Sequence, residues 1–229
     1  DQKYVLIVKV IIGISLQKLS IGEKIMEYKI SPSSINLMLE CPKCFWLSIV
    51  KKIKRPDGPF PSLPSGMDKV LKEHFDRFMG KGELPPELKE QECAKDGCSL
   101  FYDKEKLRMW RNNRKGLEFK DKKSGILLHG AVDNILVKGR KLIVLDYKTR
   151  GYPLKQDTHE HYQAQMDIYN FLLRKNGYDT EDYTYLLFYY PNHVTETGEV
   201  IFDTKLIKIK TNPKDGEKIF NKAITILKM

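Results

Sequence analysis

Cysteine is scarce in this chain: four residues in 229, at positions 41, 44, 93 and 98. That is too few for a disulfide-stapled secreted scaffold in a chain long enough to bury its own core, so a reducing, cytoplasmic setting is expected. Membrane-spanning runs are also lacking. The apolar stretch Tyr4 to Leu16 is thirteen residues long and contains Lys9, short of the roughly 20 residues that cross a bilayer. The LQKLSIGEKI that follows it offers a poor small-residue cleavage site, so neither secretion nor a membrane partner is expected. Acidic residues are outnumbered, with 30 Asp plus Glu against 40 Lys plus Arg and a formal charge of +10, which favours a polyanionic partner such as nucleic acid. Repeats and low-complexity segments are missing, and 41% of positions are hydrophobic, which excludes a disordered or fibrous chain and leaves an ordinary globular domain.

Residues 1–25 carry two readings. Ile21-Gly22-Glu23-Lys24-Ile25 before Met26 can be encoded as AUA GGA GAA AAA AUA, a purine-rich ribosome-binding sequence, which makes the segment translated leader and Met26 the first native residue. The other reading is an edge strand, because Val5, Ile7 and Lys9 alternate with Leu6, Val8 and Val10. Residues 26–229 read as one domain.

A Ser-Pro-Ser-Ser start at Ser31 opens INLMLECPKCFWLSIV, a capped helix that carries C-P-K-C on it or at its end. RPDGPFPSLPSG, from Arg55 to Gly66, is too rich in breakers for regular structure. Met67 to Met79 spaces Val70, Leu71, His74, Phe75 and Phe78 as one core-facing helical stripe. Gly80 to Cys98 reads as loop, and Lys104 to Gly116 as a basic helical segment with six Lys or Arg around Trp110. The period then changes to two. LEFKD, GILLHGAVDNILV and KLIVLDYKT read as three strands, His159 to Lys175 as a helix ended by Asn176-Gly177, YTYLLFYYP and EVIFDTKLIKIK as strands, and the segment from Lys214 as a last helix. The order is that of a mixed α/β domain.

The chemistry concentrates in HGAVDNILVKGRKLIVLDYKT. With Gly139-Arg140 as the centre of a two-residue hairpin turn, pairing outward from it sets Asp133 opposite Asp146. Their Cβ atoms are then about 5 Å apart. Alternation puts Lys148, His129 and Ala131 on the same face, which is apolar towards the turn through Ile135, Val137, Leu142 and Val144. Two carboxylates that close repel unless a cation lies between them. Mg²⁺ or Mn²⁺, completed by water and a substrate phosphate, resolves the conflict, and Lys148 is then placed to orient the attacking water. The bland reading of D-x-K is a buried ion pair.

The chain resembles the PD-(D/E)XK nuclease superfamily, specifically its RecB-like branch, which includes the CRISPR-associated RecB-like exonucleases. The resemblance rests on G-x-x-D at Gly130 to Asp133, on IVLDYKT ending in Asp146-Tyr147-Lys148, and on Q-x-x-x-Y at Gln165 to Tyr169. It implies a restriction-endonuclease-like fold, a mixed central β-sheet flanked by helices in the order αβββαβ. It implies a metal-dependent deoxyribonuclease in which Asp133 and Asp146 bind Mg²⁺ or Mn²⁺, with the Tyr147 carbonyl as a further ligand, and Lys148 acts at the nucleophilic water. Gln165 and Tyr169 contact DNA. The first helix of such proteins supplies a His or Glu in a pattern like G-x-x-x-H-x-x-x-E. Here Gly66 is followed by Val70 and His74, so three readings stand: His74 is the metal ligand, Glu73 substitutes for it, or His74 is a hydrogen-bonded core histidine.

Cys41 and Cys44 form half of a zinc or iron-sulfur site. Related proteins complete it with cysteines beyond the nuclease core. Three readings stand: a missing carboxy-terminal cysteine segment, completion by Cys93 and Cys98, or buried thiols. The alternatives to an enzyme are a non-catalytic nucleic-acid-binding module of the same fold and a cysteine-metal subunit of a helicase-nuclease assembly. DNA is the expected partner, with a helicase or CRISPR-type protein beside it.

Overall fold

A computed structural model describes residues 27–229, so both readings of residues 1–25 lie outside the described part. The architecture is mixed α/β. Strands β1 (Lys29–Ile30), β4 (Leu127–Gly130) and β3 (Leu117–Lys120) form a small sheet in that order. The main sheet has the order β2 (Ser99–Leu100), β5 (Asn134–Lys138), β6 (Lys141–Thr149), β7 (Tyr183–Val194) and β8 (Val200–Lys210). Within it β6 and β7 run parallel and the other neighbours antiparallel. The helices are α1 (Pro32–Glu40), α2 (Pro42–Val50), α3 (Ser62–Lys81), α4 (Pro86–Lys89), α5 (Glu92–Lys95), α6 (Lys104–Trp110), α7 (Gln163–Lys175) and α8 (Pro213–Leu227).

Alternation along β5 and β6 divides the core in two. Ile135, Leu142 and Val144 face a cluster containing Ile35 of α1, Phe45 of α2, Ile168 and Leu172 of α7, and Phe220 of α8. Leu136, Ile143, Leu145 and Tyr147 face the opposite cluster, with Leu71 and Phe75 of α3, Leu88 of α4 and Cys93 of α5. Both sheet faces are therefore covered, which suits the near-continuous apolar runs of β6 and β7.

The hairpin expected at Gly139-Arg140 is present, with Lys138 paired to Lys141 and Asn134 to Leu145. Gly139 adopts φ +60°, the left-handed geometry that the first central position of such a turn demands and a glycine supplies without strain.

Elsewhere the chain departs from the sequence reading. GILLHGAVDNILV is two strands in two sheets, because the backbone bends between Gly130 and Asn134. Val132 N–H donates to the Trp110 carbonyl there (3.2 Å), and the Arg111 Nε donates to the Asp133 carbonyl (2.6 Å). His129 thus pairs with Glu118 of β3 instead of lying beside Asp133 in the main sheet. The first helix is broken at Cys41, where Pro42 forces the preceding residue extended (φ −154°, ψ 97°). Helix α3 begins at Ser62, inside the supposed connector, since Pro64 sits where no helical N–H bond is required. Its buried line is Leu71 and Phe75, while Val70 is exposed. Two one-turn helices, α4 and α5, replace the supposed loop and bury Leu88 and Cys93.

Candidate active site

Three segments bring the G-x-x-D, D-Y-K and Q-x-x-x-Y residues together. Asp133 lies at the bend leading into β5, one position beyond the last hairpin pair, and its Oδ2 accepts the Tyr147 backbone N–H at 2.9 Å. Asp146 and Lys148 alternate with Tyr147 along β6, so both point to the α7 side while the Tyr147 ring turns to the α3 side and packs on Phe75. The Tyr147 hydroxyl accepts from Asn134 Nδ2 at 2.8 Å. Only the backbone of Tyr147 therefore faces the carboxylates.

Lys148 is the hub. Its ammonium is ion-paired with Asp146, lies 3.2 Å from Gln165 Oε1 as a donor, and sits 4.7 Å from the centroid of the Tyr162 ring. Gln165 in turn donates through Nε2 to the Tyr169 hydroxyl at 2.9 Å, the pairing that one helical turn permits. Gly130 fits the same cluster from β4: a Cβ there would lie 2.9 Å from both Leu172 Cδ1 and Tyr169 Cε1. The glycine of G-x-x-D and the tyrosine of Q-x-x-x-Y are thus one packing contact. A cleft of about 300 Å³, lined by Ser33, Asn113, His129, Gly130, Gln165 and Tyr169, opens beside them.

The electrostatics are strained in one place. Asp146 is 2% exposed, and its Oδ2 meets the Lys148 ammonium with no other partner among the described residues. Burial raises its pKa to about 7; Lys148 pulls it down and the Asp133 charge pushes it up. Burial also works to lower the Lys148 pKa, but the Asp146 carboxylate outweighs it and keeps that ammonium charged.

Sequence reasoning missed two residues here. Lys72 of α3 places Nζ 3.1 Å from Asp133 Oδ1. Arg111 ties the Asp133 carbonyl to Asp76 of α3, whose Oδ1 it reaches at 2.7 Å. Arg111 belongs to the basic segment from Lys104 to Gly116. Among its six basic residues, Lys104, Arg108, Arg114 and Lys115 are exposed, and Arg111 is turned inward. Lys72 carried no signal in the sequence beyond its helical spacing from Asp68.

His74 is not brought to the carboxylates. Its Nε2 pairs with Glu87 Oε1 at 3.0 Å, and its ring packs edgewise on Phe75 and Phe78. Glu87 also accepts from the Tyr189 hydroxyl at 2.6 Å. Among the described residues no three His, Cys, Asp or Glu side chains converge as a metal-binding group. Cys41 and Cys44 remain partly exposed free thiols, and Cys93 and Cys98 are buried in the α3-side core, so the four do not form one site. Cys41 caps α2, its Sγ accepting the Cys44 N–H at 3.3 Å. That bond and the nearby Arg55 lower the Cys41 pKa.

Two carboxylates and a backbone segment, all oxygen donors, suit a hard divalent cation, and the buried Asp146 Oδ2, whose one partner among the described residues is the Lys148 ammonium, is an atom such an ion would satisfy. No helix among the described residues is long and apolar enough to cross a membrane. No curated protein matches the chain significantly. A family model of the PD-(D/E)XK nuclease superfamily matches residues 29–226, nearly the whole described chain and all three of these segments. Its fold and the convergence of G-x-x-D, D-Y-K and Q-x-x-x-Y agree with that match, and the chain belongs to the PD-(D/E)XK nuclease superfamily.

Proposed function

We propose that this chain is a metal-dependent deoxyribonuclease of the RecB-like branch, hydrolysing phosphodiester bonds with Mg²⁺ or Mn²⁺ held by Asp133, Asp146 and the Tyr147 carbonyl. The observation that carries the reading is the continuous network Asp146–Lys148–Gln165–Tyr169, joined to Asp133 through the Tyr147 N–H. A buried ion pair kept for stability alone has no need of a second carboxylate beside it. When bound, the ion supplies charge stabilisation at the phosphate and a lowered pKa for water.

The side chains divide the remaining work. Asp146, whose buried Oδ2 meets the Lys148 ammonium and no other partner among the described residues, offers that oxygen to a cation beside the lysine. Asp133 is fixed in orientation by the Tyr147 N–H. Lys148 carries a permanent positive charge next to Asp146 and, held by Gln165, orients the attacking water and offsets the negative charge that develops on the phosphate. Gln165 and Tyr169 border the cleft and contact the nucleic acid there. The net charge of +10 and the exposed Lys104, Arg108, Arg114 and Lys115 suit a phosphate-backbone track with little sequence readout. Work in the cytoplasm on repair, recombination or defence, beside a helicase or CRISPR-type partner, follows from the RecB-like reading. A zinc or iron-sulfur role for Cys41 and Cys44 requires ligands from beyond the described residues or from a partner.

A second reading, a nucleic-acid-binding module without catalysis, is favoured by Lys72, since α3 presents a cation to Asp133 instead of a further carboxylate. Supercoiled plasmid, linear duplex and end-labelled single strands, each incubated with Mg²⁺, Mn²⁺ or EDTA, separate the two. Cutting with either metal and none in EDTA is expected. DNA retention without cutting under every condition favours the binding module.

A further inference from the structure

Lys72 lies on α3 between Val70 and His74, the two positions at which the chain departs from the first-helix pattern it resembles. Its Nζ lies between two carboxylates, 2.7 Å from Asp68 Oδ1 one helical turn back and 3.1 Å from Asp133 Oδ1 across to β5. The side chain is 22% exposed and that of Asp133 17%, so the pair is partly shielded yet open on one side. Both oxygens of Asp133 are thereby engaged, Oδ2 by the Tyr147 N–H and Oδ1 by Lys72. A divalent ion that ligates Asp133 must compete with this ammonium, because two cations on one carboxylate repel. Asp68, the other partner of the ammonium, is 42% exposed, so the Lys72 head group borders solvent on that side.

We propose that Lys72 is an active-site residue of this nuclease: its ammonium holds Asp133 in the metal-free protein and turns to the substrate phosphate once a divalent ion takes that carboxylate. The inference rests on the metal-dependent nuclease reading and adds to it a cationic phosphate contact from α3. It also accounts for His74 standing apart, since the α3 position that faces Asp133 is filled by Lys72.

The test compares the wild-type chain with Lys72→Met and Lys72→Gln, measuring Mn²⁺ affinity by calorimetry and DNA cleavage at saturating Mn²⁺. Both variants lack the competing charge, and Gln keeps a polar hydrogen-bonding side chain at the position should Met disturb the fold. The expected result has opposite signs: Mn²⁺ binds about tenfold more tightly, while cleavage at saturating metal falls about a hundredfold. A merely structural Lys72 would weaken both readings together. Unchanged or weaker Mn²⁺ affinity in the variants, or undiminished cleavage, overturns the proposal. A wild type that binds Mn²⁺ but never cuts DNA defeats the nuclease reading itself, and the phosphate role of Lys72 falls with it; a cutting wild type matched by its variants defeats only the role of Lys72.

Discussion

The D-Y-K motif divides its side chains between two environments, and the division is set by a period of two. Asp146 and Lys148 meet α7, whereas the Tyr147 ring is buried on Phe75 and its hydroxyl satisfies the Asn134 amide. Tyr147 therefore contributes to the site through its backbone alone. Tyr147→Phe leaves the buried Asn134 Nδ2 without an acceptor, which costs about 1–3 kcal/mol. Denaturant unfolding should show that loss while the cleavage rate stays at the wild-type value. A variant of full stability that no longer cuts would instead give the hydroxyl a part in the chemistry. At this scale the clustering of Asp133, Asp146, Lys148, Gln165 and Tyr169 was legible because they lie in motifs of fixed spacing. Lys72 and Arg111 were not, since a lysine or arginine on a helix carries no mark of which carboxylate or carbonyl it will meet across the fold.

Elements position these residues by close approach. β4 crosses α7 at Gly130, where there is no room for a side chain between the backbone and the Tyr169 ring. Gly130→Ala must push on Tyr169 and Leu172, an overpacking that costs about 1–3 kcal/mol and shifts the helix that holds Gln165. Thermal unfolding should register the cost, and cleavage should fall with it even though no polar group has been removed. Wild-type stability and activity in this variant would show that the contact can yield. The hairpin register was legible because the Gly139 turn and the apolar alternation agree on one pairing. The bend at Gly130–Asp133 was not, because it depends on hydrogen bonds to the Trp110 carbonyl and from Arg111, distant in sequence. The break at Cys41 follows from Pro42 and could have been read from it.

Across the whole molecule, the two cores lie on opposite faces of the main sheet, and the site forms towards the end of its central strand β6, between α3 and α7. α3 supplies Lys72 to Asp133 and α7 supplies Gln165 to Lys148, so the carboxylates are gripped from both sides of the sheet. The mixed α/β class, with helices on both faces, was legible from the switch between the two hydrophobic periods. The second, three-stranded sheet was not, because Lys29–Ile30 is too short to signal a strand. In the proposed site the carboxylates hold the metal while Lys148 serves the chemistry, and one comparison decides between this and other divisions of labour. Wild type, Asp146→Ala and Lys148→Ala are assayed side by side for Mn²⁺ binding, DNA retention and cleavage. The account predicts metal-dependent cutting in the wild type alone, loss of Mn²⁺ binding in Asp146→Ala, and retained Mn²⁺ and DNA with cleavage reduced at least about a hundredfold in Lys148→Ala. Cutting that survives in both variants would contradict it.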